Sequence, residues 1–319
     1  MIVMSIVVRD EADIIGHNIE YHRRMGVDRF VVIDHRSVDG TSEILERFRR
    51  RGFVSVIHKS EEIYKVREWT NDLMRTARKR HGHTWHIPND ADEFYLPPAG
   101  HTLKSYLATQ MAHRVLQVPR TNVIFSQEEL ALHGWRGAQG YASTITQLYD
   151  ASIADPNVRM AAPWLYCATI GKATFQPATC KSITKGSHRA IMNPRVDAVP
   201  CEMRILHFAA RSEDEVVRAA IRLGQSAEEI DTAENISAHY RRWVRMAKAG
   251  VPTGVIYDEN LPRQDRLALD VATGVLVPIT YPEALRQVLE MDSSEIAPPK
   301  SLWSRLRHRL ASIAARKRH

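Results

Sequence analysis

The chain has 319 residues, 44% of them hydrophobic and 25% charged, with a formal charge of +7 and a pI near 9.4, and it is long enough to bury a large core. Six of those seven charges lie in residues 301–319, on Arg305, Arg307, Arg309, Arg316, Lys317 and Arg318 with no acid among them, so the other 300 residues carry only +1 and a nucleic-acid-binding face is excluded. Cys167, Cys180 and Cys201 form neither a C-x-x-C pair nor an even disulfide framework, which points to a reducing cytoplasm, and the apolar run Met1 to Val8 meets Arg9-Asp10-Glu11 too soon for a signal peptide or membrane span.

In chain order, Ile2 to Val8 reads as a buried strand. Ala12 to Met25 reads as a helix with Ile14, Ile15, Ile19 and Met25 near one face and a stop at Gly26, and Arg29 to Ile33 as a second strand. The polar loop Asp34 to Thr41 leads into a helix over Ser42 to Arg51, a strand over Phe53 to His58 and a long helix over Glu61 to Arg80. A short apolar strand then ends in Asn89-Asp90-Ala91-Asp92-Glu93-Phe94. Strands alternating with helices imply an α/β fold with a mainly parallel sheet covered on both faces.

Beyond Pro97-Pro98 the rhythm changes. A helix over Thr102 to Thr109 and one strand over Val115 to Phe125 precede a stretch, Ser126 to Asp155, without a clear period, which reads as a long loop. Strands are expected within Lys172 to Lys185 and over Arg204 to Phe208. Helices are expected over Ser212 to Leu223, Ala233 to Ala249 and Tyr281 to Met291. Ile296-Ala297-Pro298-Pro299 reads as a hinge. In the tail after it, Trp303, Leu306, Leu310 and Ile313 recur at helical spacing among arginines, the pattern of a helix lying on an anionic membrane surface; a disordered or partner-docked tail fits the same residues.

In an open α/β sheet, ligands collect at the carboxyl ends of the strands. Asp90 and Asp92 sit there, two residues apart. If the segment were extended they would point the same way, and oxygen ligands of this kind suit Mg²⁺ or Mn²⁺ shared with substrate phosphates. A turn or cap role would fit an isolated D-x-D equally well.

The ordered motifs carry more weight. Val8-Arg9-Asp10-Glu11-Ala12-Asp13-Ile14-Ile15, Glu20-Tyr21-His22, Gly26-Val27-Asp28, Asp34 to Thr41, Trp85 with Asp90-Ala91-Asp92-Glu93-Phe94, Lys185-Gly186-Ser187-His188, and Ile205-Leu206-His207-Phe208 with Arg211-Ser212 and Glu215 resemble, in order over residues 1–225, GT-A-fold glycosyltransferases related to family 2. The branch is the one with a K-N-E-x-D opening and a D-x-D-E-F metal motif. The sequence departs from that branch at Arg9-Asp10, at His35-Arg36 and over residues 126–165.

The resemblance implies a GT-A domain over residues 1–225, with a nucleotide-sugar half to about residue 97 and an acceptor half beyond it. A helical extension over 226–295 and a hinge and basic tail over 296–319 would follow. It implies a metal-dependent, inverting transfer from a nucleoside-diphosphate sugar, UDP-linked, to a hydroxyl of a saccharide or lipid-linked acceptor, in surface polysaccharide or glycoconjugate synthesis at the inner face of a membrane. Asp92 would be the direct ligand of Mn²⁺ or Mg²⁺ and Asp90 would touch the ribose or the metal, with His207 as a further ligand or else a buried core histidine. Arg9, Glu11, Asp34, Asp39 and Arg67 are candidate nucleotide-sugar contacts, with a turn-and-cap role equally open to Asp39 and a solvated helix face to Arg67, and His188 is a candidate phosphate or acceptor contact. Inversion needs a base for the acceptor hydroxyl. Glu128, Glu129, Glu202 and Glu213 are the candidates. A nucleotidyltransferase would be expected to carry a Gly-rich basic loop after the first strand, where this chain has Arg9-Asp10-Glu11-Ala12, and a non-catalytic scaffold would need neither Asp90 nor Asp92.

Overall fold

The structure, a computed structural model, describes residues 1–62, 65–82, 84–148, 163–216, 243, 246, 248–291 and 296. The basic tail, and most of the helices expected over 212–223 and 233–249, lie outside the described residues. Among those described, no helix is long and apolar enough to cross a membrane.

The first half follows the alternation read from the sequence. β1 (Ile2–Val8), α1 (Ile15–Arg24), β2 (Arg29–His35), α2 (Thr41–Arg50), β3 (Val54–Lys59), α3 (Val66–His81) and β4 (Trp85–Asn89) succeed one another. A turn then gives β5 (Glu93–Leu96), followed by α4 (Leu103–Thr109), β6 (Val115–Val118) and β7 (Arg120–Asn122). Next come α5 (Gln127–Gly137), β8 (Tyr141–Ser143), β9 (Lys172–Phe175), β10 (Cys180–Ile183), β11 (Ala190–Met192), β12 (Val199–Pro200) and β13 (Arg204–His207). The described chain closes with α6 (Thr253–Asn260), α7 (Gln264–Ala272), β14 (Leu276–Pro278) and α8 (Glu283–Leu289).

Seven strands form the central sheet in the order β12-β6-β9-β4-β1-β2-β3. β4, β1, β2 and β3 run parallel, and β9 is antiparallel to both β4 and β6. Every residue of β1 is buried, as expected of a strand covered on both faces. Ile6, Val32, Phe30 and Ile87 pack with Ile15, Ile19 and Phe48 on one side, while Val3, Val31 and Ile33 meet Trp69, Leu73 and Ala77 of α3 on the other.

A second sheet, β5-β13-β7, determines where the chemistry lies. β13 runs antiparallel to β5 with His207 opposite Glu93, and parallel to β7 with His207 opposite Asn122. The expected single strand over Val115 to Phe125 is therefore two strands in two sheets. Pro119 divides them: it has no N–H to continue a ladder, and its carbonyl accepts from Ile205 N at 2.8 Å. The expected loop over Ser126 to Asp155 begins instead with α5, capped by Ser126 Oγ on Glu129 N at 3.0 Å. α5 is kinked at Gly134, whose φ of 63° a side chain would strain, and that break in the period hides the helix in the sequence. β14 pairs with β8 and α8 packs on α1, so residues 253–291 fold back onto the first half of the chain.

Buried polar groups pin α1 to the turn after β4. Asn18 Nδ2 donates to the carbonyls of Ala91 at 2.9 Å and Glu93 at 2.8 Å. His22 accepts from Tyr95 N at 3.1 Å through Nε2, so its Nδ1 carries the hydrogen given to Asn18 O at 2.9 Å, and burial lowers its pKa to about 3. The Glu20-Tyr21-His22 motif is thus a structural brace.

Candidate active site

The residues Asp90 to Glu93 form a tight turn, closed by Glu93 N on Asp90 O at 3.2 Å. The segment is not extended, so the two aspartates do not share partners as an extended D-x-D would predict. Asp90 Oδ2 accepts from Lys172 Nζ of β9 at 2.6 Å, whereas Asp92 Oδ2 lies 3.2 Å from His207 Nε2 and 4.0 Å from Arg211. Phe208 N donates to Asp92 O at 2.8 Å and fixes the end of β13 against the turn.

The orientation of His207 follows from its neighbour. Asn122 Nδ2 donates to Leu165 O at 3.2 Å, so Asn122 Oδ1 is the atom 2.8 Å from His207 Nδ1, which must carry the hydrogen. That leaves Nε2 facing a carboxylate oxygen. Two such atoms at 3.2 Å need positive charge between them, either a proton on Nε2 or a cation. Metal-binding histidines are held in this way, through an N–H given to an oxygen on the far side of the ring. Burial works to raise the Asp92 pKa, but His207 and Arg211 hold it well below the usual carboxylate range.

Arg211 is the second organising cation, with a fully buried side chain. It donates to Asp13 through Nε at 2.7 Å, to Glu11 at 2.5 Å and to Phe208 O at 2.9 Å, and lies 3.7 Å from Glu215. It therefore ties the β1–α1 loop to the end of β13. Burial pushes the Glu11 carboxyl well up, against the pull of Arg211. On the other side of the turn Glu93, also fully buried, lies between Arg120 at 2.9 Å and Lys172 at 2.5 Å. Among the described residues Arg120, Lys172 and Arg211 are the buried cations that Glu11, Asp13, Asp90, Asp92, Glu93 and Glu215 share. A cluster of acids with a histidine is of the kind that suits a divalent cation. Among the described residues no three His, Cys, Asp or Glu side chains converge on one point, so the protein's share of such a site would be the Asp92 and His207 pair, with substrate oxygens or water completing it.

The expected nucleotide-binding loops lie side by side at the ends of β1 and β2, where Val8 pairs with Asp34. Asp10 N donates to Ser37 Oγ at 3.0 Å, Val38 N to Asp10 Oδ1 at 2.8 Å and Glu11 N to Thr41 Oγ1 at 2.8 Å. Asp10 and Arg36 have φ of 55° and 57°, a strained conformation of the kind that gathers at ligand sites. Asp34 is buried; it accepts from Ser42 Oγ and Ser37 N and lies 3.4 Å from His58. Asp39 accepts from Thr41 N at 3.0 Å and Ala12 N at 2.9 Å, so its carboxylate is used in holding the two loops together. Arg9 lies 3.6 Å from Asp10.

His188 gives Nδ1–H to Gly171 O at 2.9 Å beside Lys172, and Gly186 makes room for it, since a Cβ there would fall 2.5 Å from His188 Nε2. Arg67 is exposed on the first turn of α3 and, among the described residues, shares no hydrogen bond or ion pair with the site. Nor do the four glutamates named as base candidates bond Asp90, Asp92 or His207. Glu128 is exposed, Glu129 faces His133 at 4.0 Å, Glu202 precedes β13 at the end opposite His207, with its N–H on Tyr106 Oη, and Glu213 faces α6 near Gly254.

Sequence reasoning missed Arg120, Asn122 and Lys172. Lys172 had a visible signal, a lone cation in the apolar run Gly171-Lys172-Ala173-Thr174-Phe175; Arg120 and Asn122 had none beyond following Pro119.

The sequence model of glycosyltransferase family 92 matches residues 4–246. No curated protein matches the chain. Among solved structures, Staphylococcus aureus TarS 1-349 is similar at 12% identity over 78% of this chain and 73% of that chain, with a TM-score of 0.39. The same fragment in complex with UDP-GlcNAc gives 13% identity, 75% and 69% coverage and a TM-score of 0.41. A putative glucose-1-phosphate thymidylyltransferase from Bacillus anthracis gives 8% identity, 74% and 98% coverage and a TM-score of 0.36.

Proposed function

The chain belongs to glycosyltransferase family 92, and from that premise we propose a metal-dependent, inverting transfer of a sugar from a UDP-linked donor to a hydroxyl of a saccharide or lipid-linked acceptor. The observation that carries the reading is the Asp92 Oδ2 and His207 Nε2 pair, 3.2 Å apart with His207 Nδ1 committed to Asn122. Family membership favours sugar transfer over the nucleotidyl-transfer and scaffold alternatives.

In this reading Asp92 and His207 hold Mn²⁺ or Mg²⁺. When bound, such an ion would supply Lewis-acid stabilisation of the charge on the diphosphate of the departing UDP. The chain's own groups prepare that step. Asn122 fixes the His207 tautomer, Phe208 N and Asn18 hold the turn that carries Asp92, and Arg211 ties the β1–α1 loop to the end of β13. Asp34, near the end of β2, would accept a hydrogen bond from the uracil or ribose in place of one now given by Ser37 N or Ser42 Oγ, beside the strained residues Asp10 and Arg36. Residues 301–319, read as a basic amphipathic segment, would bring this cytoplasmic site to lipid-linked acceptors on an anionic leaflet.

The nucleotide assignment is tested at Asp34. Asp34→Ala is expected to weaken UDP binding by about 1–3 kcal/mol, the cost of leaving a polar partner unsatisfied. Calorimetric titration of both proteins checks this, and equal affinities would place the nucleotide elsewhere.

A further inference from the structure

The Asn122 amide that sets the His207 tautomer is itself set from behind, by a single 3₁₀ turn, Trp164–Tyr166. Its Leu165 carbonyl accepts from Asn122 Nδ2 at 3.2 Å, and Trp164 stands edge-on to the His207 ring with centroids 6.2 Å apart. The turn is closed by Tyr166 N on Pro163 O at 3.0 Å and Cys167 N on Trp164 O at 3.2 Å, and so short a 3₁₀ segment holds its place poorly alone. This one is anchored from α7. Tyr166 Oη donates to Asp270 Oδ2 at 2.9 Å, and Arg266 Nε gives to the two oxygens of the same carboxylate at 2.8 and 2.9 Å. Tyr166 and Asp270 are both buried, so the charge-assisted bond between them is costly to break. α7 lies beyond residues 4–246, the span that the family model matches.

We infer that Tyr166 and Asp270 are positioning residues through which the C-terminal helices hold His207 in the tautomer that can bind a cation; the inference rests on the metal-dependent reading above. The two ends of an asparagine amide have nearly the same shape, so its hydrogen-bond partners decide which end faces His207. With Leu165 O in place, Nδ2 turns to that carbonyl and Oδ1 to His207 Nδ1, which leaves the Nε2 lone pair for a ligand position beside Asp92. A shift of Leu165 O by about 1 Å would take the 3.2 Å bond beyond hydrogen-bonding distance and free the amide to reverse. Nδ2 would then donate to Nδ1, the hydrogen would pass to Nε2, and His207 would present Asp92 with an N–H in place of a lone pair. The coupling runs from Arg266 and Asp270 through Tyr166, the Leu165 carbonyl and Asn122 to His207.

Two measurements on the nucleotide-free full-length protein test the inference. The first is Mn²⁺ binding, followed by the electron paramagnetic resonance of the free ion. Tyr166→Phe and Asp270→Ala should each weaken it about three- to tenfold, somewhat less than removal of a direct partner of a metal-binding histidine. Asp270→Asn keeps an acceptor for the phenol and should recover most of the loss. Asn122→Ala should weaken binding at least about tenfold, and adding Tyr166→Phe to it should cost less than about twofold more, because the two act in series. A merely structural tyrosine would give an additive loss. The second measurement needs no metal: long-range proton–nitrogen NMR of His207 should show a hydrogen on Nδ1 in the wild type and a downfield shift of Nδ1, from partial loss of that hydrogen, in Tyr166→Phe. Unchanged Mn²⁺ binding or an unchanged Nδ1 resonance in Tyr166→Phe, or an additive double variant, overturns the inference. If Tyr166→Phe does not fold, Asp270→Ala against Asp270→Asn decides by the same two measurements. A wild-type protein that binds no Mn²⁺ would instead remove the metal reading, and the Nδ1 comparison would then decide the inference alone.

Discussion

Asp92→Asn is expected to lower sugar transfer by about two to three orders of magnitude, the range associated with removing a group that stabilises transition-state charge. The substitution preserves side-chain volume and the Asp92 carbonyl, which accepts from Phe208 N at 2.8 Å, so the turn should persist. What disappears is the negative charge opposite His207 Nε2. Release of UDP from a UDP-sugar under saturating Mn²⁺ measures the loss, and the thermal midpoint shows whether the fold has survived. Near-normal turnover in a folded variant would mean that Asp92 does not hold the ion.

The largest effect on stability is expected at Arg211. Its guanidinium is the shared partner of Glu11 and Asp13 and lies within 4.0 Å of Glu215 and Asp92. Arg211→Met would leave Glu11, Glu215 and Asp92 facing one another largely out of water, beside the exposed Asp13. Removing one partner of a buried ion pair costs about 3–5 kcal/mol, so a loss of that order is expected in denaturant unfolding. Arg211→Lys should recover only part of it, because a single ammonium cannot reproduce the fork that grips Asp13 through two nitrogens while also reaching Glu11 and Phe208 O. A loss below about 1 kcal/mol in Arg211→Met would show that the acids are relieved in some other way, by protonation or by solvent.

The alternation of strands and helices up to Asn89 was legible because each element there repeats one simple period, β1 as an unbroken apolar run and α2 with Ile44, Leu45 and Phe48 on one face. The place of Asp92 was legible from strand order, and its pairing with His207 from the order of motifs, since neither residue reveals the other at a separation of more than a hundred positions. The direction of Asp90 was not legible. It depends on the tight turn at Ala91 and on a lysine that arrives from β9, antiparallel and far along the chain. In the sequence Arg67 fits a phosphate contact or a solvated helix face, and in the structure it is exposed on the helix that buries Trp69. α5 escaped notice for a similar reason: its apolar residues are few, Leu130 and Trp135 being the buried ones, and Gly134 resets their phase.

The divalent ion proposed at Asp92 and His207 would be shared with the bound nucleotide. Calorimetric titration of UDP into the full-length protein, once with Mn²⁺ and once after exhaustive chelation, tests this most directly. Affinity should be at least about tenfold lower without the ion, and that difference should be abolished in Asp92→Asn and in His207→Ala. UDP affinity that is the same with and without Mn²⁺ in the wild-type protein would contradict it.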